Sequence, residues 1–100
     1  MIIYVAHSYL GIPDNLKRAR RICHDLQVRD KENTYLSPLL AFSHLAYGEM
    51  PFNEEMDLCL DLLMVCDKLI VASEVTRGVQ IEIDFANSVG MEVEYLERSE

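Results

Sequence analysis

The stretch Ile2-Ile3-Tyr4-Val5-Ala6 contains no charged residue and no polar alternation, and this constrains the fold more than any other feature of the chain. A short β-branched run of this kind reads as a strand buried on both faces, the environment of a parallel sheet with helices on either side. Leu69-Ile70-Val71-Ala72 repeats it, entered through Asp67 and Lys68. Asn33 to Ser37 is a weaker strand, ended by Pro38, and Glu92 to Leu96 is a fourth. The intervening segments have helical spacing. Leu16, Ala19, Ile22, Cys23 and Leu26 form one stripe of a helix that starts near Pro13 or Asn15 and runs to Val28. Residues 39–47 read as a short helix or ordered loop, stopped at Gly48. Residues 53–66 form a helix N-capped by Asn53, ahead of Glu54 and Glu55. A last helix follows the third strand and ends at Gly90 as a C-cap residue.

The order β-α-β-α-β-α-β implies a parallel sheet with right-handed crossovers. The expected architecture is α/β: a flavodoxin-like or Rossmann-like three-layer sandwich with a four-stranded parallel sheet of order 2-1-3-4. The 100 residues make one domain, 1–100, without repeats or linkers. Such a chain buries roughly two-thirds of its unfolded surface around a single core.

Half the residues are hydrophobic, as in a globular chain. The net charge is −8, from 17 acidic and 9 basic residues, which disfavours a polyanionic partner such as DNA or RNA. The basic run Lys17-Arg18-Ala19-Arg20-Arg21 is followed by acidic residues and reads as a solvated helix face. Cys23, Cys59 and Cys66 are odd in number, form no CxxC and lie in apolar helical stretches. They fit reduced packing cysteines in a cytoplasmic protein. The first residues lack the positive region of a signal peptide, and no apolar run reaches the ~18 residues of a membrane span. His7, His24 and His44 show no HxxxH or Cys/His spacing, so neither a metal nor a cofactor is expected.

The helix over 53–66 is unusually apolar. Glu54, Asp57 and Asp61 form a narrow polar strip, and the apolar residues from Met56 to Cys66 cover the rest. One sheet face in a domain this small cannot bury all of it. A homodimer or higher homo-oligomer through this helix is expected, unless residues 39–47 cover it within the monomer.

One carboxylate stands out. On a helix over 79–90, Gln80, Asp84, Asn87 and Ser88 share a polar face, while Val79, Ile81, Ile83, Phe85, Ala86 and Val89 fill the opposite arc. Glu82 projects from the middle of that apolar arc. A charge there must be paired, hydrogen-bonded or used, because burying it alone is costly or shifts its pKa. It lies in the first or second turn after the third strand, at the carboxyl edge where open α/β sheets bind ligands. Other polar residues converge on this edge. His7 closes the first strand and can donate a hydrogen bond to a ligand. Ser8, Tyr9 and Asn15 lie on the loop and helix start beyond it, a ready place for a phosphate or a ribose hydroxyl. Ser73 ends the third strand. Thr76, Arg77 and Gly78 form the turn ahead of Glu82. Gly78 permits close backbone approach or positive φ, and Arg77 is placed to grip a phosphate or to pair with Glu74.

Three stretches together resemble the nucleoside 2-deoxyribosyltransferase-like superfamily. They are Ile3-Tyr4-Val5-Ala6 through Gly11 with Asn15; Ser37-Pro38-Leu39, where relatives have a Pro-His-Leu-like turn; and Leu62-Leu63…Cys66-Asp67…Gly78…Glu82-Ile83…Ala86…Gly90. More narrowly, the chain is similar to a small branch of mostly unassigned proteins found often in phages and prophages. The resemblance implies that Glu82 attacks an anomeric carbon and forms a glycosyl-enzyme intermediate. An anionic carboxylate both stabilises and captures the oxocarbenium-like charge of such a reaction, and the helix dipole is expected to keep it ionised. The alternative for Glu82 is a structural carboxylate satisfied by loop N–H groups or by Arg77. The resemblance also implies an aspartate from the preceding helix. Asp57 and Asp61 are available, and Asp57 is favoured because the first turn of that helix lies nearest the carboxyl edge. Tyr4 is implied to hold the catalytic carboxylate; otherwise it is a core aromatic. Pro38 is implied to lie at the ligand.

The family usually has a small residue two positions after the nucleophile. Here it is Asp84, on the solvent side of the projection. The chain is also shorter than the characterised transferases, without their longer loops over the base, so hydrolysis stands beside transfer. The expected function is cleavage or transfer at the N-glycosidic bond of a nucleoside or nucleotide. One alternative is a non-catalytic module that binds or sequesters a nucleotide ligand, such as a phage accessory protein acting against host defence. Another is an interaction protein that docks a host factor through 53–66.

Overall fold

The computed structural model describes residues 1–96, so the last four residues of the expected 1–100 domain lie outside the described residues. The elements are β1 (Ile2–Ala6), α1 (Pro13–Arg29), β2 (Thr34–Leu36), α2 (Pro38–Ala41), α3 (Phe52–Met64), β3 (Lys68–Val71), α4 (Arg77–Ser88) and β4 (Glu92–Tyr95). The strands form one parallel sheet in the order β2-β1-β3-β4, the expected flavodoxin-like arrangement. Tyr4 stands opposite Leu36 on one side and Leu69 on the other, and Leu69 opposite Val93.

The lack of alternation in β1 follows from its central place. Alternate residues of a strand point to opposite faces, and both faces are covered. Tyr4 and Ala6, with Leu69 and Val71, meet Leu63 and Cys66 together with Val79, Ile83 and Ala86 of α4. On the other face Val5 and Ala72 meet Cys23, with Ile22 and Leu26 of α1 and Leu40 of α2 around them. The result is three layers, α3 and α4 on one side and α1 with α2 on the other. On the α1 face β3 and β4 become polar: Lys68 Nζ lies 2.7 Å from Glu94 and 3.2 Å from Glu92.

Helix ends differ from expectation in several places, and α3 stops at Met64 rather than running to Cys66. Asn53 is not the cap of α3; Pro51 is, and Asn53 lies inside the first turn. Of residues 39–47 only the first three belong to a helix, α2, which Ser37 caps by accepting from the Leu39 N–H at 3.2 Å. The remainder is turn and irregular chain. Arg77 and Gly78 belong to the first turn of α4 rather than to a turn ahead of it. Val89 is 58% exposed instead of joining the apolar arc, because α4 stops at Ser88. Gly90 then takes φ +73°, the left-handed conformation that ends many helices.

The apolar surface of the 53–66 segment is divided. Leu63 is in the core, whereas Met64 and Val65 are 61% and 65% exposed. Cys23, Cys59 and Cys66 are free thiols. No helix among the described residues is long and apolar enough to cross a membrane.

Candidate active site

The carboxyl edge of the sheet is tied together before any cleft forms. The Ser8 N–H donates to Ser73 Oγ at 2.8 Å, and that hydroxyl donates to the Glu74 carbonyl at 2.9 Å. Ser8 Oγ donates to Glu74 Oε1 at 2.9 Å. These bonds join the exits of β1 and β3. Asn15 Nδ2 donates to the Tyr9 carbonyl at 2.8 Å, and its Oδ1 accepts from Arg18 at 3.3 Å. The turn it clamps holds Leu10 at φ +56° and Gly11 at φ +70°. A side chain at Gly11 would place its Cβ 2.7 Å from the Tyr47 ring. Tyr47 in turn meets Tyr9 edge to face, with centroids 5.4 Å apart.

These rings form one wall of a cleft. Its lining is Tyr9, Pro38, Leu39, Phe42, Leu45, Ala46 and Tyr47 facing Glu55, Leu58 and Cys59 of α3. It encloses about 460 Å³ counting its open mouth. The walls are aromatic and aliphatic with one carboxylate, the composition of a small-molecule site.

Behind Cys59 lies the buried acid. The Tyr4 hydroxyl donates to Glu82 Oε2. Tyr4 is fully buried and Glu82 is 4% exposed. Glu82 is in the second turn of α4, where the dipole field has faded. Burial therefore dominates and pushes its carboxyl from 4.5 up to about 7, with the Tyr4 hydrogen bond opposing the rise. The dipole does not hold it fully ionised, contrary to expectation; near neutral pH roughly half the molecules carry the proton. Burial first, and the Glu82 charge second, push the Tyr4 hydroxyl well above its usual value. The same two causes push the Cys59 thiol up to about 12, with its interaction with the Tyr4 hydroxyl opposing the rise. Cys59 is thus a neutral thiol and not a nucleophile. It lines the cleft and also bears on both Tyr4 and Glu82.

The sequence-predicted residues separate into groups. Tyr9 and Pro38 line the cleft, and Tyr4 and Glu82 meet behind it. Ser8, Ser73 and Asn15 spend their polar groups on the loop ties. His7 is buried; its Nδ1 donates to the Ser8 carbonyl at 2.7 Å, and its Nε2 has no partner. Arg77 does not line the cleft; its guanidinium lies 4.3 Å from the centre of the Phe52 ring. Gly78 has no positive φ, and Met56 Sδ, 3.4 Å from where a Cβ would stand, is at ordinary contact distance, so neither expected reason for a glycine is seen here. Asp57 and Asp61 are exposed and outside the cleft wall. Glu55, Cys59, Phe42 and Tyr47 were not anticipated. Glu55 and Cys59 are one helical turn apart and so share a face, whereas Asp57, two residues from each, points away. Among the described residues no group of three or more His, Cys, Asp or Glu is arranged to hold a metal ion.

No curated protein and no solved structure matches the chain. A family model described as a domain of unknown function, DUF7768, matches residues 1–96. With the match running from the first residue to the end of the described structure, the chain belongs to the DUF7768 family.

Proposed function

We propose that the chain cleaves or transfers at the N-glycosidic bond of a nucleoside or nucleotide, with Glu82 as nucleophile. The observation that carries this reading is a buried carboxylate held by a tyrosine hydroxyl, in no ion pair among the described residues, beside an aromatic cleft at the carboxyl edge of the sheet. A carboxylate kept only for stability would be expected to have a cation partner. A strongly shifted acid close to a cleft is a candidate for use.

In the reaction the ionised Glu82 attacks the anomeric carbon as the carbon–nitrogen bond breaks. The electron pair leaves with the base, which takes up a proton from water, and the nucleophile of the second step returns one to solvent. Water or a second base then displaces Glu82 from the sugar. Tyr9, Phe42 and Tyr47 offer ring faces and edges for the flat base, and Tyr4 orients the carboxylate. Because the reactive form is the anion, the rate rises with pH through about 7. The test is incubation with a mixture of nucleosides, nucleotides and NAD, read by mass spectrometry for free base and for a sugar adduct on Glu82. The Glu82→Gln chain is expected to release none, and equal turnover by both chains would overturn the proposal.

A second reading, a module that binds or sequesters a nucleotide ligand without turnover, is favoured by one fact: Glu82 is not on the cleft wall. Calorimetry that returns the ligand chemically intact would support it. The three free thiols support a cytoplasmic setting. The exposed Met64 and Val65 support a homodimer through the end of α3; sedimentation equilibrium of wild type against Val65→Lys tests it, with loss of dimer expected in the variant.

A further inference from the structure

We infer that Glu55 sets the ligand class of the cleft: a flat, neutral or cationic ring compound carrying hydrogen-bond donors, with its phosphorylated form rejected. The inference rests on the reading above for the ring being that of a nucleoside. Among the described residues lining the cleft, Glu55 is the one acid, and none is lysine or arginine. A phosphate drawn into this space would meet a carboxylate with no lysine or arginine among the described lining residues to offset it, and like charges repel, the more so beside low-dielectric walls. The partly ionised Glu82 behind Cys59 adds a second negative source on the same side. The charge of −8 over the whole chain works in the same direction.

Two of the described cations are engaged elsewhere. Arg77 stacks over Phe52, and Arg18 donates to Asn15. A sugar hydroxyl or an exocyclic amine is the natural complement of Glu55, because an ionised carboxylate is an acceptor only. Its place on α3 suits this role, since the cleft-facing side of a packed helix fixes the carboxylate more firmly than a loop would.

The test is calorimetry with deoxyadenosine and thymidine against their 5′-monophosphates, on the Glu82→Gln chain so that nothing is consumed, with native circular dichroism required of each variant. The monophosphates are expected to bind at least roughly tenfold more weakly than the nucleosides. Glu55→Gln is expected to narrow that gap and weaken nucleoside binding, Glu55→Asp to preserve the gap, and Arg77→Ala to leave it unchanged. Monophosphates that bind as tightly as nucleosides, an unchanged gap in Glu55→Gln, or no binding by any of the four compounds would each overturn the inference. Turnover does not enter this readout. A clear gap in a protein whose wild type leaves nucleosides intact would retain the ligand class while the cleavage proposal fell.

Discussion

Glu82 sits where two effects compete, the field of a helix N-terminus and the loss of solvent, and its place in the second turn of α4 gives the decision to burial. Its folded value of about 7 lies above the ordinary 4.5. Between those values the native chain binds a proton that the unfolded chain has released. The stabilising contribution is therefore complete below 4.5 and lost as pH rises through about 7, a change of roughly 3 kcal/mol. Urea unfolding at about pH 5 and pH 8 should show this loss in wild type and a much flatter response in Glu82→Gln. Parallel behaviour of the two chains would contradict the burial argument. Tyr4→Phe removes the bond that favours the charged form, so the Glu82 midpoint should move further up, as read by carboxyl NMR titration. At this scale the sequence was informative about identity and poor about state. A single glutamate in an apolar arc is visible on a helical projection. Its protonation depends on how much protein closes over the second turn, which no local pattern encodes.

At the scale of elements, two glycines make opposite demands. Gly11 combines φ +70° with a ring 2.7 Å from any added Cβ, so Gly11→Ala should destabilise by roughly 1–3 kcal/mol in thermal unfolding. It should also loosen Tyr47 and with it the cleft wall. Gly78 has an ordinary helical conformation and a neighbour at normal contact distance. Gly78→Ala should therefore be tolerated, or should add up to about 1 kcal/mol through helix propensity. If that variant is stable but loses ligand, Gly78 serves approach of the ligand rather than packing. The helices themselves were readable from spacing and end signals. Which acid of α3 faces the cleft was not. Asp57 lies near the sheet edge, but a helix turns by ~100° per residue, so the acid that faces the cleft depends on the orientation of α3 as well as its direction. That orientation is fixed by Leu63 in the core.

For the molecule as a whole, the strand order was legible because only a central strand can afford an unbroken apolar run, and β1 and β3 carry two of them. The cleft was not, because four separate segments build it and residues 42–47 contribute through turns with no periodic signature. The α1 face of β3 and β4 shows how the sheet tolerates polar residues there. Lys68 lies between Glu92 and Glu94, both more exposed than itself. Lys68→Met would leave those two acids without their shared cation and should lower the melting temperature, by the equivalent of under about 1 kcal/mol and more at low salt than at high. A salt-independent loss would point to packing of the lysine stem instead.

Cys59 has a consequence for how such a molecule would work in time. Cys59 lines the cleft and bears on both Tyr4 and Glu82, and turning its thiol needs rotation about one bond only. Side-chain rotations take on the order of picoseconds to nanoseconds when exposed, far faster than the microseconds or longer of domain motions. Under the cleavage proposed above, a rearrangement at this position would be local, and no domain motion would be needed to change the surroundings of the acid.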